Sequence, residues 1–320
     1  TIVELLNVLE TKSDVGKVNG IIYRNSAGEI ISTPKRELIN NLDSLPFPEF
    51  DDLSFSEYLD NQDSTATPFS LFDYPRPYPI LCSRGCPFQC TFCYHSLGRK
   101  YRNRSIENII QELREVIPKY KINIIFFYDD LFAVNKERLY GLCKEIKNVL
   151  KETPWDCKWF CQLSVQKVDD EMLKILKDAG CVSISYGFES YNQNVLKSMN
   201  KPITPQRIDT TVKLTKKYGF VINAGFIFGD RAETKETARE TLEYWKNNCD
   251  GQIQLNFIQP TPGSEIYEYC IKKGIIKNRL DFIKNRIHHT NWFNMTDAMT
   301  DKEIIGLKKP DYMQGESLLA

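Results

Sequence analysis

The sequence predicts an α/β fold in which six strands and their connecting helices form an open, partial (β/α)6 TIM-like barrel. Six strand-sized apolar runs occur along the chain, and helical patterns with capping residues separate them. Strands that alternate with helices favour parallel pairing through right-handed crossovers. Six such units suit an open barrel better than a flat doubly wound sheet. In both architectures ligands bind at the carboxyl ends of the strands, so functional residues are expected there.

The first 45 residues predict an N-terminal extension that is separate from the barrel. Residues 1–10 place apolar side chains on one helical face, and residues 20–33 have the pattern of a hairpin. Two closely set prolines then exclude a helix and favour an extended linker. The strand–helix units occupy residues 46–275, and residues 276–320 are expected to form a tail or lid of unknown role.

The strands and helices of the barrel follow from local patterns. Strands are predicted at 79–82, 122–128, 158–163, 182–188, 221–228 and 252–258. Five helices have a suitable N-cap residue, whose side-chain oxygen can accept from a free backbone N–H: Ser105, Asp169, Thr204, Thr234 and Ser264. A further helix covers about 136–151. Gly180 and Gly219 are suited to end two of the helices.

Composition limits the class of protein. Lys+Arg and Asp+Glu both number 42, so the net charge is zero, which argues against a nucleic-acid-coating protein or a polybasic membrane binder. No apolar run approaches the length of a membrane span, and the N-terminus lacks a signal-peptide pattern. The ten cysteines are scattered rather than arranged as a secreted disulfide framework, which predicts a reducing, cytoplasmic location. Because residue 1 is threonine, the chain is expected to be a piece of a longer protein.

Three cysteines directly follow the first predicted strand. Cys86, Cys90 and Cys93 have the spacing C-x3-C-x2-C, and Phe92 precedes the third. Three thiolates on one loop can hold three irons of a cubane cluster and leave the fourth iron open to another ligand. Cys82 adds a fourth thiol, so a structural zinc site in a binding module is an alternative. Because Cys82 lies at the end of a strand, we expect its side chain to pack rather than to bind metal.

This loop resembles the cluster loop of the radical S-adenosylmethionine (SAM) superfamily. The resemblance implies a 4Fe–4S cluster on Cys86, Cys90 and Cys93, with SAM on the open iron, and an oxygen-sensitive enzyme. It also implies that an electron from a flavodoxin or ferredoxin leads to cleavage of SAM into methionine and a 5′-deoxyadenosyl radical. That radical would abstract hydrogen from an unidentified organic substrate. The family usually has a small hydroxyl residue at the position of Cys82, so this chain departs from the pattern there.

The N-terminal extension is similar to one subgroup of that superfamily. Its helix, its Gly-Ile-Ile-Tyr-Arg hairpin and its Leu-Asp-Ser-Leu-Pro-Phe-Pro linker resemble the stretch between the cobalamin domain and the cluster domain of cobalamin-binding radical SAM proteins. The resemblance implies that residues 1–45 are the remnant of a Rossmann-like cobalamin domain, most of which precedes residue 1 and binds cobalamin. The implied reaction is C-methylation, with methylcobalamin as the methyl donor.

Other functions remain open on the sequence alone. A cobalamin-type radical SAM enzyme can instead rearrange or cyclise its substrate. The extension can also be an ordinary element that packs on the barrel. A methylthiotransferase would need a further cysteine-bearing domain and usually a C-terminal RNA-binding barrel, and the sequence shows neither.

The resemblance also implies SAM contacts at the strand ends. The backbone near Tyr128, or the Asp129 carboxylate, is expected to accept from the SAM ammonium, which offers three donors. Glu189 and Ser190 form the family's Gly-x-Glu-Ser strand end, which lies near the SAM ribose. Residues Gly225 and Phe226 would let adenine approach the backbone closely. The residues beyond this strand, 230–232, depart from the family's usual loop.

Gln162 and Ser164 share one face of the third strand by alternation, and both can reach SAM or substrate if that face is the lumen. Plainer roles are also open at these positions. Asp129 can cap a helix, and Gln162 and Ser164 can form a polar layer of the core. The sequence identifies no catalytic residue.

Overall fold

The computed structural model describes residues 1–62, 69–249, 253–287 and 293–307, and the chain divides into two compact units. The first unit, Thr1–Leu42, contains helix α1 (Ile2–Glu10) and an antiparallel hairpin of β1 (Ile22–Arg24) and β2 (Ile30–Ser32). Within it, Arg36 pairs with Glu4. The predicted helix and hairpin are confirmed, whereas their assignment to a cobalamin domain stays a prediction.

The second unit, from Asp43 onward, is built on one parallel sheet of six strands. The strands are β3 (Pro77–Ile80), β6 (Ile124–Phe127), β7 (Lys158–Gln162), β8 (Cys181–Glu189), β9 (Val221–Phe228) and β10 (Ile253–Phe257). Their order, β3-β6-β7-β8-β9-β10, follows the chain, so each new strand is added beside the previous one. A separate antiparallel pair consists of β4 (Ser83–Arg84) and β5 (Arg102–Asn103). The predicted open barrel is confirmed.

Helices lie between successive strands of the sheet, as predicted, and others precede β3 and follow β10. They are α2 (Phe55–Asp60), α3 (Ile106–Tyr120), α4 (Lys136–Glu152), α5 (Asp170–Asp178), α6 (Gln193–Ser198), α7 (Pro205–Lys217), α8 (Lys235–Asn248) and α9 (Glu265–Lys272). After them come α10 (Arg279–Asp281), a π-helix (Phe282–Arg286) and α11 (Asp301–Gly306). The five predicted N-caps are confirmed, because each side chain accepts from a backbone N–H of the first turn.

The two faces of the sheet have different environments. On β6 and β7, the alternate residues Ile125, Phe127, Trp159 and Cys161 belong to the main hydrophobic core together with residues of the surrounding helices. Fully burying a side chain of this kind contributes about 1.5–3 kcal/mol. Because side chains alternate along a strand, the residues between them face the opposite side, which is the lumen of the open barrel.

The first strand of the sheet differs from its predicted position. It runs from Pro77 to Ile80 rather than over 79–82. This strand lies at the edge of the sheet, where prolines that cannot donate a backbone hydrogen bond are tolerated. No helix in the described part of the chain is long and apolar enough to cross a membrane. Residues 288–292 and 308–320 of the predicted tail lie outside the described residues.

Candidate active site

The cysteine loop, residues 85–101, has a fixed base. The strands β4 and β5 pair on either side of it, with Ser83 opposite Asn103 and Arg84 opposite Arg102. Gly85 has φ +87°, and a Cβ there would lie 2.8 Å from the Gly98 carbonyl oxygen, so only glycine fits at the start of the loop.

The far side of the loop is held by two other segments. The backbone N–H of Thr91 donates to the Met199 carbonyl at 2.9 Å, and Ile266 N–H donates to the Thr91 carbonyl at 3.0 Å. Asn200 Nδ2 donates to the Gln89 carbonyl at 2.9 Å. The Phe92 ring packs on the smaller hydrophobic core and so helps to anchor the loop. Its contact with a cofactor stays a prediction. These contacts fix the course of the loop beside the carboxyl edge of the sheet.

The three loop cysteines lie close together. The side chains of Cys90 and Cys93 interact directly, which lowers the pKa of Cys90 to about 7 and raises the pKa of Cys93. Cys86 is near enough to interact electrostatically with Cys90, although burial is the main cause that raises its pKa. Cys86 and Cys93 are partly exposed, whereas Cys90 is 8% exposed.

Cys82 is not part of this group. Its side chain is fully buried in the main hydrophobic core, and burial raises its pKa well above the ordinary value. In the described part of the chain, no three His, Cys, Asp or Glu side chains are arranged to hold a single metal ion. The alternative of a zinc site that includes Cys82 therefore has no support in this geometry. The three loop thiols, as soft donors on one partly exposed loop, fit an iron–sulfur cluster instead.

Asp129 is buried beneath the start of the cysteine loop. Its carboxylate accepts from Ser83 Oγ at 2.5 Å and from Cys82 N–H at 3.3 Å, and burial raises its pKa to about 7. Only 2% of Asp129 is exposed. Both carboxylate oxygens are therefore used to hold the strand that leads into the loop, and the contact of this side chain with SAM stays a prediction.

Glu189 and Lys201 form an ion pair beside the cysteine loop, and sequence reasoning missed the lysine. Lys201 Nζ donates to Glu189 Oε1 at 2.7 Å, and the two side chains are 18% and 11% exposed. Burial alone would lower the pKa of Lys201, but the charges of Glu189 and Cys90 outweigh it and the pKa is raised. The ammonium group is therefore a fixed positive charge close to the thiols.

The neighbouring backbone is shaped for this pair. Glu189 has φ +61°, an uncommon conformation for a residue with a side chain. A Cβ at Gly187 would lie 2.6 Å from Lys201 Nζ, so glycine at this position leaves the space that the ion pair occupies. The sequence signal was the Gly-x-Glu-Ser strand end, which predicted the glutamate but not its partner.

The other residues that were predicted to contact SAM or substrate differ in their exposure. Tyr128 and Gln162 are exposed, and Gln162 Nε2 donates to the Asp130 carbonyl at 3.2 Å. Ser164 is partly buried and precedes a short 3-10 helix. Ser190 is 1% exposed, accepts from Asn192 N–H at 3.1 Å and lies 3.3 Å from Thr241 Oγ1, so its hydroxyl is already engaged.

Gly225 and Phe226 lie at the carboxyl half of β9. A Cβ at Gly225 would make only ordinary contacts, the nearest at 3.6 Å from Asn256 Nδ2, so the structure leaves space for a methyl group there. The Phe226 ring is fully buried in the main core, and only its backbone borders the lumen. The adenine contact with these two residues stays a prediction.

Comparison with known proteins identifies the family. The family model of the radical SAM superfamily matches residues 80–244, which include the cysteine loop and Glu189. The chain therefore belongs to the radical SAM superfamily, whose cofactors are a 4Fe–4S cluster and SAM.

Curated relatives and solved structures agree with this assignment. An uncharacterized methyltransferase of Pyrococcus horikoshii is 31% identical over 278 residues, which are 86% of this chain and 57% of the relative. The radical SAM methyltransferase TsrM of Kitasatospora setae, solved with cobalamin and a 4Fe–4S cluster, superposes with a TM-score of 0.64 at 18% identity, covering 84% of this chain and 52% of that one. The cobalamin-dependent radical SAM enzyme OxsB superposes with a TM-score of 0.62 at 21% identity, covering 93% of this chain and 41% of that one. The chain thus spans about half the length of the proteins it matches.

Proposed function

We propose that this chain is the SAM-cleaving part of a cobalamin-dependent radical SAM enzyme, a C-methyltransferase that acts on an organic substrate. The observation that carries the proposal is the meeting of the three-cysteine loop and the Glu189–Lys201 pair at the carboxyl edge of one parallel sheet. When bound, the 4Fe–4S cluster and SAM supply a 5′-deoxyadenosyl radical for hydrogen abstraction. The methyltransferase name of the Pyrococcus relative and the cobalamin in TsrM and OxsB support the methylation and the second cofactor.

The residues of the chain have distinct roles in this proposal. Cys86, Cys90 and Cys93 hold three irons. The Lys201 ammonium lies close to those thiolates and offers donors to the SAM carboxylate, while Glu189 holds it in place through Oε1 and accepts from a ribose hydroxyl through Oε2. Asp129 holds the strand that leads into the loop. Gly225, which has no side chain, would let adenine approach the backbone.

The wider setting is part of the same proposal. We place the enzyme in the cytoplasm, with a flavodoxin or ferredoxin as its reductant, because an accessible cluster needs a reducing environment. Cobalamin is bound mainly by sequence outside residues 1–320. The alternative without methyl transfer, rearrangement or cyclisation, uses the same site and differs in the product.

Anaerobic reconstitution tests the proposal in separate steps. Iron and sulfide counts of four each per chain, followed by release of 5′-deoxyadenosine from SAM, are expected of the reduced protein. A product that gains one methyl group supports methylation, and a product without that gain supports the alternative. Tight stoichiometric binding of cobalamin by residues 1–320 alone would contradict its placement outside them. Stoichiometric zinc without iron would contradict the whole proposal.

A further inference from the structure

The lumen of the open barrel has two chemically different walls. On β8 three small residues face it, Ser183, Ser185 and Gly187, and Gly187 is paired with Gly225 of β9. On β6 and β7 the side chains that face it include large aromatic rings. The small wall borders the proposed SAM site, and the aromatic wall adjoins it, because Phe160 of β7 is paired with Ser183 of β8.

The aromatic wall consists of Phe69, Phe126, Tyr128 and Phe160. Phe126 and Phe160 are opposite each other in the β6–β7 ladder, with ring centroids 4.8 Å apart and planes inclined by 21°. Tyr128 stacks on Phe126 at 5.4 Å and 18°. Phe69 meets Phe126 edge-on at 5.7 Å and 88°. Three rings thus form one continuous, nearly parallel stack, and the fourth supports it from the side.

The stack is closed at one end and open at the other. Phe160 is 6% exposed, Phe126 is partly exposed and Tyr128 is 64% exposed. Tyr128 directly follows β6, at the carboxyl edge where Glu189 and the cysteine loop also lie. A ligand can therefore extend the stack at the end that is nearest the proposed reaction site.

The wall offers little to a charged ligand. Within the described strands β3, β6 and β7, the charged side chain on this face is Lys158, at the amino end of β7, where it pairs with Asp156. Gln162, near the open end, supplies a neutral polar group. Because the Lys158 ammonium is already paired, a phosphate or carboxylate placed against the rings would meet no uncompensated positive charge on these described strands. Aromatic rings prefer offset-stacked partners, and such pairs contribute beyond the area they bury.

We propose that the aromatic wall binds the substrate of the enzyme and that the substrate presents a flat, uncharged conjugated ring to it. This inference names the substrate class of the proposed function and rests on it. Stacking would hold the ring beside the proposed SAM site, at the carboxyl end of the sheet. Aromatic linings with a few placed polar groups are typical of sites for such molecules.

Displacement of a fluorescent probe tests the substrate class. The uncharged fluorophore N-phenyl-1-naphthylamine is titrated into the full chain, and 2-naphthol and its saturated analogue decahydro-2-naphthol are then used as competitors. The two competitors have the same carbon skeleton and hydroxyl group, but only the first is flat. We expect 2-naphthol to displace the probe at a concentration at least about fivefold lower, because only a flat ring can stack. Equal displacement would overturn the flat-ring assignment.

Variants locate the binding site. Tyr128→Leu and Phe126→Leu are each expected to weaken 2-naphthol binding by about fivefold or more. Tyr58→Leu is the matched control, because Tyr58 is 62% exposed and stacks on Phe55 in the main core, away from the lumen. Its naphthol affinity should stay within about twofold of the wild type. Since Tyr128 is exposed, its replacement tests the site even if Phe126→Leu fails to fold. An equal effect of Tyr58→Leu and Tyr128→Leu would overturn the proposal.

The titration uses neither iron nor SAM, so it separates the two proposals. A chain that releases 5′-deoxyadenosine but binds 2-naphthol independently of Tyr128 overturns the substrate class alone. A chain that assembles no cluster overturns the proposed function, and with it the assignment of the aromatic wall to a radical SAM substrate.

Discussion

Lys201 Nζ lies 2.7 Å from Glu189 Oε1, although helix α6 separates the two residues along the chain. The pair connects the end of β8 with the segment that holds the cysteine loop, because the adjacent Asn200 donates to the Gln89 carbonyl. A ligand that binds the pair is therefore placed relative to the cysteines by the fold itself.

The first prediction concerns the ion pair. Glu189→Gln removes the countercharge of a largely buried lysine, and we expect SAM affinity to fall about tenfold, equivalent to about 1.4 kcal/mol. Calorimetric titration of SAM into the reconstituted protein measures this. Glu243→Gln, an exposed change on α8, is the control and should keep the wild-type affinity. Unchanged SAM binding by Glu189→Gln, with iron content intact, would contradict the assignment.

The second prediction separates the two kinds of cysteine. Cys90→Ala is expected to lose the cluster, whereas Cys82→Ala should retain it because Cys82 packs in the core. Both changes remove a buried sulfur, so each should also cost roughly 1 kcal/mol or more of unfolding free energy. Iron and sulfide counts give the first readout and urea unfolding the second. Cys270→Ala, another fully buried thiol, controls for loss of packing. A cluster lost from Cys82→Ala and kept in Cys90→Ala would reverse the ligand assignment.

The third prediction tests the approach of adenine to β9. Since a Cβ at residue 225 meets only ordinary contacts, Gly225→Ala should leave the unfolding free energy within about 1 kcal/mol of the wild type or raise it. It should nevertheless weaken SAM binding about tenfold, because the methyl group enters the space expected for the nucleotide. Gly306→Ala, on α11 with open space around it, is the matched control. If both variants bind SAM equally well, adenine does not approach this backbone.

The fourth prediction is a pH dependence of stability. Glu233 is 1% exposed, its Oε2 has no hydrogen-bond partner among the described residues, and burial raises its pKa to about 7. Because the pKa of Glu233 is higher in the folded than in the unfolded state, its carboxyl group contributes to the free energy of unfolding. That contribution is fully present below about pH 4.5 and is lost as the pH rises toward 7. The loss is at most about 1.4 kcal/mol for each pH unit in that window.

Glu233→Gln should reduce this slope, measured by urea unfolding at pH 5 and pH 7.5. Asp129, whose pKa burial also raises to about 7, acts in the same sense, so some slope should remain. The control is Glu236→Gln, in the first turn of α8, three residues after Glu233. The Glu236 carboxylate is exposed and its pKa is lowered, so this variant should keep the wild-type slope. Equal slopes in the wild type and Glu233→Gln would contradict the prediction.

Much of the fold follows from local signals. The caps at Ser105, Thr204 and Thr234 could be predicted because capping depends on a side chain and a backbone N–H three residues away. The strand ends that carry Glu189 and Gly225 could be predicted from apolar runs and from resemblance to the family. Helix α6 could not, because six residues give too little periodicity to distinguish a helix from a loop.

The candidate site depended more on tertiary contacts. Asp129 meets Ser83 across 46 residues of sequence, and no local pattern reveals that partner. Lys201 follows helix α6, which sequence reasoning missed. The direction of the backbone that leads to Lys201 depends on Asn200, which has φ +51°. The cysteines were recognised because their spacing alone defines the loop. Their surroundings became visible only when distant segments were brought together.

The bracing of the cysteine loop affects how the protein acquires its metal. Strands β4 and β5, together with the bonds from Asn200 and Ile266, hold the loop without any contribution from iron. Many small metal-binding domains order their ligands only on binding, so the conformational entropy of the loop is lost at that moment and opposes uptake. Here that entropy is already lost when the barrel folds. We therefore expect the chain to release and regain its cluster as a folded protein, with chelation and repair as local events at one edge of the sheet.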